Sequence, residues 1–149
     1  MTTADNKMVI RRFYEEVMGQ GRVEILEEVM DENFVDHGEA FFGSPKGRET
    51  LRQGIEMTRG ILAGLTVTLE EMIAEGDMVG VRAVEHCTHQ GKFVGVTPTG
   101  NELTWTGNAM FRLSEGKIVE RWFNSDSISI IRQLGLAPAR EPGENSYQV

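Results

Sequence analysis

The sequence predicts an α+β domain, with helices first and then a strongly bent antiparallel sheet wrapped around them to leave a cone with an internal pocket. Three observations carry this. Up to Leu62 the apolar residues recur mainly at helical spacing, and from Leu65 the period changes to two. Turn sequences at Glu75-Gly76-Asp77 and Ser114-Glu115-Gly116 join the later strands into a meander. The chain has 149 residues, one domain's worth. The domain is assigned to residues 1–137, and 138–149 is read as a flexible tail because it lacks an apolar period.

The elements follow in order. Ile10, Phe13, Tyr14 and Val17 form one face of a helix from about Ala4 to Met18, capped by Thr2 or Thr3 and ended by Gly19 to Gly21. A short helix covers Val23 to Met30, with Leu26, Val29 and Met30 inward, and Asn33 to His37 is a brief extended piece. Gly38 to Gly47 is a loop carrying adjacent Phe41 and Phe42, which suit a lid over something apolar, a contact with a second subunit, or the end of this domain's own core. Ser44-Pro45 opens the next helix, whose inward face is Leu51, Ile55, Thr58 and Leu62 and whose end is Gly64. Strands then run through Leu65, Val67 and Leu69, from Met78 to His89, from Glu102 to Leu113, and from Gly116 to about Phe123. A last helix turns Ile128, Ile131 and Leu134 inward, with Ile130 beside them, and ends at Gly135. The last strand, with apolar residues on both faces, reads as the floor of a pocket and this helix as its flap.

Composition narrows the function. Hydrophobic content of 40% and charged content of 26% are ordinary for a globular protein. A net charge of -8 argues against nucleic acid or an anionic membrane as partner. No window is long and apolar enough to span a bilayer, and the polar start MTTADNK is not a signal peptide. The single cysteine, Cys87, rules out an intrachain disulfide and fits a reducing cytoplasm. His86 and His89 flank it, but three residues apart on a strand they face opposite ways and no second ligand cluster exists, so no metal site is expected.

A set of motifs then occurs in order: FVDH at Phe34–His37, the turn Glu75–Asp77, THQGKFVGVTPTG from Thr88 to Gly100, and GKIVERW from Gly116 to Trp122 with QLG at Gln133–Gly135. In these the chain resembles the SnoaL-like polyketide cyclases and predicted ester cyclases of the nuclear-transport-factor-2-like superfamily, over roughly residues 7 to 137. The resemblance implies the cone fold of a cystatin-like α+β barrel, a deep apolar pocket, no metal or organic cofactor, and a homodimer. It also implies ring closure on a polyketide ester, which needs a base for an acidic C–H proton and a donor for the enolate oxygen.

The chain departs from the family pattern where the chemistry sits. The last strand of that pattern carries a histidine and an acid/base aspartate on one side; here those positions are Arg121 and Phe123, and the aspartate that many relatives have on the preceding strand is Ala109. Phenylalanine cannot move a proton. Alternation puts Ala83, Glu85, Cys87 and His89 on one face and Leu103, Trp105, Gly107, Ala109 and Phe111 on another, so Glu85 can face the pocket and pair with Arg121, either for chemistry or as an ion pair at the rim. A single bulge would turn Arg82, Val84, His86 and Asn108 inward instead. Asp126 is a second candidate base or the cap of the last helix. His37, beside Asp36, is a third candidate acid/base or a structural anchor for the loop. Tyr14, Trp105, Ala109, Phe123, Phe41 and Phe42 are the expected ligand-binding residues, with methionines as adaptable lining. Two functions remain: cofactor-free proton transfer (cyclisation, isomerisation or hydration) on an apolar oxygenated small molecule, or binding of such a molecule without catalysis. A third reading is a subunit whose sheet serves mainly dimerisation.

Overall fold

The computed structural model describes residues 1–38 and 46–136. Phe41, Phe42, the Ser44-Pro45 helix start and the 138–149 tail lie outside the described residues.

The N-terminal helix α1 (Thr3–Arg12) opens with a reciprocal cap, in which Thr2 accepts from the Asp5 amide at 3.1 Å while the Asp5 carboxylate accepts from the Thr2 amide at 2.8 Å. It continues as a π-helical segment, Phe13–Met18, in which the Gly19 amide reaches back to the Tyr14 carbonyl at 2.9 Å. The wider turn keeps Phe13, Tyr14 and Val17 buried and also brings Met18 round to the interior. A 3₁₀ turn (Val23–Ile25) and the short helix α2 (Leu26–Val29) lead into strand β1 (Met30–Asp36). Met30 therefore starts a strand instead of ending a helix.

Helix α3 (Arg48–Ile61) is followed directly by β2 (Leu62–Glu75). The expected stop at Gly64 is displaced: Gly64, at φ +64°, lies in β2 where the pairing with the next strand shifts between Ala63 and Thr66. Such a bulge bends the strand, and glycine takes its left-handed backbone without strain. Strands β3 (Met78–His89), β4 (Glu102–Ser114) and β5 (Lys117–Ser125) complete the meander. The β4–β5 turn has positive φ at both Glu115 and Gly116, as a two-residue type I′ hairpin requires. The sheet order is β1-β5-β4-β3-β2, curved and unclosed. The extended piece at Asn33 to His37 is thus a fifth strand, and it pairs parallel to β5, with Asp36 opposite Arg121.

Most of the concave face is apolar. Val79, Val81 and Ala83 of β3 and Ala109, Phe111 and Leu113 of β4 pack on Ile10, Phe13, Tyr14 and Val17. A second cluster, around Leu62, Leu65, Phe93, Leu103 and Trp105, is closed by Ile130 of helix α4 (Ser127–Gln133) and by Leu134 at its C-cap. The inward positions of α4 are 130 and 134, an i, i+4 pair; Ile128 points to solvent at 59% exposure. The reason lies in Gln133. It accepts from the Thr104 amide at 2.9 Å and donates to the Thr104 carbonyl at 2.8 Å, standing in for a neighbouring strand where β5 no longer covers β4. That clamp sets the rotation of the helix. No helix among the described residues is long and apolar enough to cross a membrane.

Candidate functional site

The cone encloses a cavity of about 300 Å³. Its floor is the concave sheet, through Ala83, Glu85, Trp105, Ala109, Arg121 and Phe123; its roof is Tyr14, Met18 and α3, with Phe93 from the β3–β4 loop and Ile130 from α4 at one end. The alternation expected from the sequence holds across β3 and β4, whose pairing is continuous from Met78↔Arg112 to Thr88↔Glu102. No bulge interrupts it, so Glu85 faces inward while Arg82 and His86 stay on the outer face, bonded to Glu70 and Thr104; Asn108, expected outward with them, also borders the cavity.

Glu85 is the one carboxylate side chain among the described cavity-lining residues. It makes no hydrogen bond among the described residues. Burial raises its pKa from 4.5 to about 7, and the Arg121 cation offsets only part of that rise. The expected Glu85–Arg121 pair is not the one formed. Arg121 bonds Asp36 instead, from Nε at 3.1 Å and from Nη2 in a short contact, and the Asp36 side chain is fully buried. Asp36 is available because the parallel β1–β5 register sets it directly beside Arg121. Its other oxygen accepts from the Gly38 amide at 3.0 Å. Arg121 also lies over the Phe123 ring, 4.6 Å from its centroid. Arg121 Nη1 remains without a hydrogen bond among the described residues. The Tyr14 hydroxyl lines the same cavity, and burial, opposed by Arg121, pushes its pKa up, so it stays a neutral donor.

The remaining expected site residues divide cleanly. Tyr14, Trp105, Ala109, Arg121 and Phe123 line the cavity. His37 does not: its backbone follows Asp36, so its side chain falls on the opposite face, where Nε2 meets Glu120 at 2.8 Å and the ring stacks on Trp122 at 4.9 Å. Trp122 is likewise outside the cavity. Asp126 is the α4 N-cap, accepting from the Ser129 amide at 3.1 Å, and is not among the lining residues. His89 is fully buried and bonds Thr99 at 3.0 Å, tying the ends of the loop that supplies Phe93. Of the methionines, Met18 reaches the lining. No grouping of His, Cys, Asp and Glu suited to a metal occurs among the described residues.

Asp36 and Arg59 are among the lining or supporting residues that were not anticipated. Asp36 carries no local signal, since its partner is far along the chain. Arg59 was within reach, because 51, 55 and 59 continue the inward stripe of α3 by steps of four.

The family model for SnoaL-like polyketide cyclases matches residues 8–134. The chain belongs to this family. Among solved structures, IdmH, a candidate polyketide cyclase from Streptomyces antibioticus, is 31% identical, with a TM-score of 0.78 over 87% of this chain and 98% of that one. AclR, a candidate hydroxylase from Streptomyces galilaeus, is 22% identical with a TM-score of 0.82, covering 95% of this chain and 91% of that one. A SnoaL-like protein from Jannaschia sp. CCS1 is 22% identical with a TM-score of 0.81, covering 91% and 95%. The last two show a shared fold. No curated protein matches the chain. Family and neighbours together support a small-molecule role of the cyclase type.

Proposed function

We propose that the cavity carries out cofactor-free proton transfer on an apolar, oxygenated small molecule, with Glu85 as the acid/base. The observation that carries this is an unbonded carboxyl in an apolar cavity, with its pKa at about 7. A base poised there takes a C–H proton beside two carbonyls at neutral pH and can return it. The Arg121 Nη1 and the Tyr14 hydroxyl supply donors for the enolate oxygen. In a cyclisation the enolate carbon then bonds to a second carbonyl carbon of the same molecule, and the resulting alkoxide takes a proton back; isomerisation and hydration use the same groups.

A second reading, binding without catalysis, draws on Phe123 in the acid position of the family pattern and on Asp36 neutralising Arg121. Deuterium exchange at the acidic C–H of ethyl benzoylacetate, followed by NMR, separates the two. The enzyme reading expects the wild type to accelerate exchange and Glu85→Gln to lose that acceleration by about 10²–10⁴-fold while still binding the probe. Binding without any acceleration by the wild type would establish the carrier instead.

A further inference from the structure

Arg59 is a cavity-lining cation with no carboxylate within reach among the described residues. Its neighbours on α3, Arg48 and Arg52, both meet Glu27, and Arg121 meets Asp36. Arg59 instead spends a single nitrogen, Nη1, on the carbonyls of Met18 at 2.7 Å and Gly19 at 3.3 Å, where the π-helical segment ends. Its guanidinium lies against Gly21, where a Cβ would sit 2.5 Å from Arg59 Nε and 3.1 Å from Cζ, so the absence of a side chain at 21 leaves the group its seat. The group is therefore held in place, with Nε and Nη2 making no hydrogen bond among the described residues. Those two nitrogens form the side edge of the guanidinium, which matches the two oxygens of a carboxylate.

The charge balance of the cavity points the same way. Asp36 cancels Arg121, and Glu85 is half-neutral near pH 7. Among the described residues Arg59 then leaves the lining with an excess of positive charge, and a partly desolvated cation is satisfied by an anion. We propose that the cavity takes an apolar small molecule bearing a carboxylate, and that Arg59 binds this carboxylate through Nε and Nη2. The inference rests on the reading of the cavity as a substrate pocket. It narrows the substrate class to free acids, in preference to the esters that the family resemblance suggests.

The test uses a matched pair, 2-naphthoate and methyl 2-naphthoate, titrated calorimetrically at pH 6, where the acid probe is ionised and Glu85 mostly protonated. The wild type should hold the acid at least about tenfold tighter than the ester, as one charge-assisted contact gives. Arg59→Gln, which removes the charge and the fork, should bring the two probes within about twofold while leaving the ester's affinity unchanged. Arg59→Lys, a point charge without the fork, should keep a reduced preference. Equal binding of acid and ester to the wild type would overturn the proposal and leave the Glu85 proton transfer standing. So would a preference undiminished in Arg59→Gln, or a parallel loss of both probes, which marks a purely structural residue. Should Arg59→Gln fail to fold, an undiminished preference in Arg59→Lys overturns it equally. Failure of the wild type to bind either probe would remove the substrate pocket itself.

Discussion

Replacing Glu85 by Gln should make the protein more stable above neutral pH and less active. The carboxyl's pKa rises from 4.5 to about 7 on folding. The charged group that acts on it is Arg121, itself paired with Asp36; the Tyr14 hydroxyl and the Cys87 thiol stay neutral. A group whose pKa is raised in the folded state holds its proton more tightly there. Its contribution is therefore fully present below about pH 4.5 and is lost as pH climbs through about 7. At about 1.4 kcal/mol per tenfold change in acidity, the ionised Glu85 costs roughly 3 kcal/mol at pH 8. Gln has the shape of the protonated acid and never ionises. Glu85→Gln should thus match the wild type within about 0.5 kcal/mol near pH 4.5 and exceed it by about 2–3 kcal/mol at pH 8, or about 5–10 °C in Tm for a chain of this size. Paired urea melts across pH 4.5–9 measure this directly. Wild-type and variant curves running parallel in pH would refute the reasoning, since a Glu85 already comfortable as an anion would be no poised base either.

Other expectations follow from the same geometry. Asp36→Asn strands the buried Arg121 cation and should cost about 3–5 kcal/mol by chemical denaturation; a loss under 1 kcal/mol would mean that water already solvates the pair. A methyl at Gly38 would sit 2.3 Å from Phe123 Cδ1, so Gly38→Ala should push the ring into the cavity, weaken ligand binding about tenfold and cost about 1–3 kcal/mol. Unchanged binding would show that the ring has room elsewhere. Burial pushes the Cys87 thiol up to about 11, so iodoacetamide at pH 8 should leave the native protein unmodified and label it rapidly in urea. Native labelling within minutes would contradict the packing around β3.

The sequence made the meander legible because each strand buries one face: Val79, Val81 and Ala83 alternate with outward residues over the full length of β3, and its ends at Met78 and His89 fall where the turn and loop residues put them. The same alternation delivered Glu85 to the pocket. What stayed hidden depended on tertiary partners. Asn33 to Asp36 shows no sign of whether it pairs or with what, so neither the parallel edge nor the Asp36–Arg121 bond could be read. In α4, spacings of three and four are both satisfied by Ile128, Ile130, Ile131 and Leu134, and only the Gln133 clamp on Thr104 decides between them. His37 looked like a site residue because it neighbours a carboxylate in sequence; the strand pleat sends it to the other side of the sheet.

The edge strand β1 has a kinetic corollary. Its partner Arg121 is 85 residues away from Asp36, whereas β2 to β5 follow one another through much shorter connections, tight turns at β2–β3 and β4–β5. Closing so long a span is entropically slow, so hairpins should zip together before that edge docks and the guanidinium finds its mate. Chevron plots should accordingly place the damage of Asp36→Asn in a faster unfolding limb, with the refolding limb nearly unmoved. A protein assembled this way keeps its hollow ajar, one charge waiting, until the last seam is drawn shut.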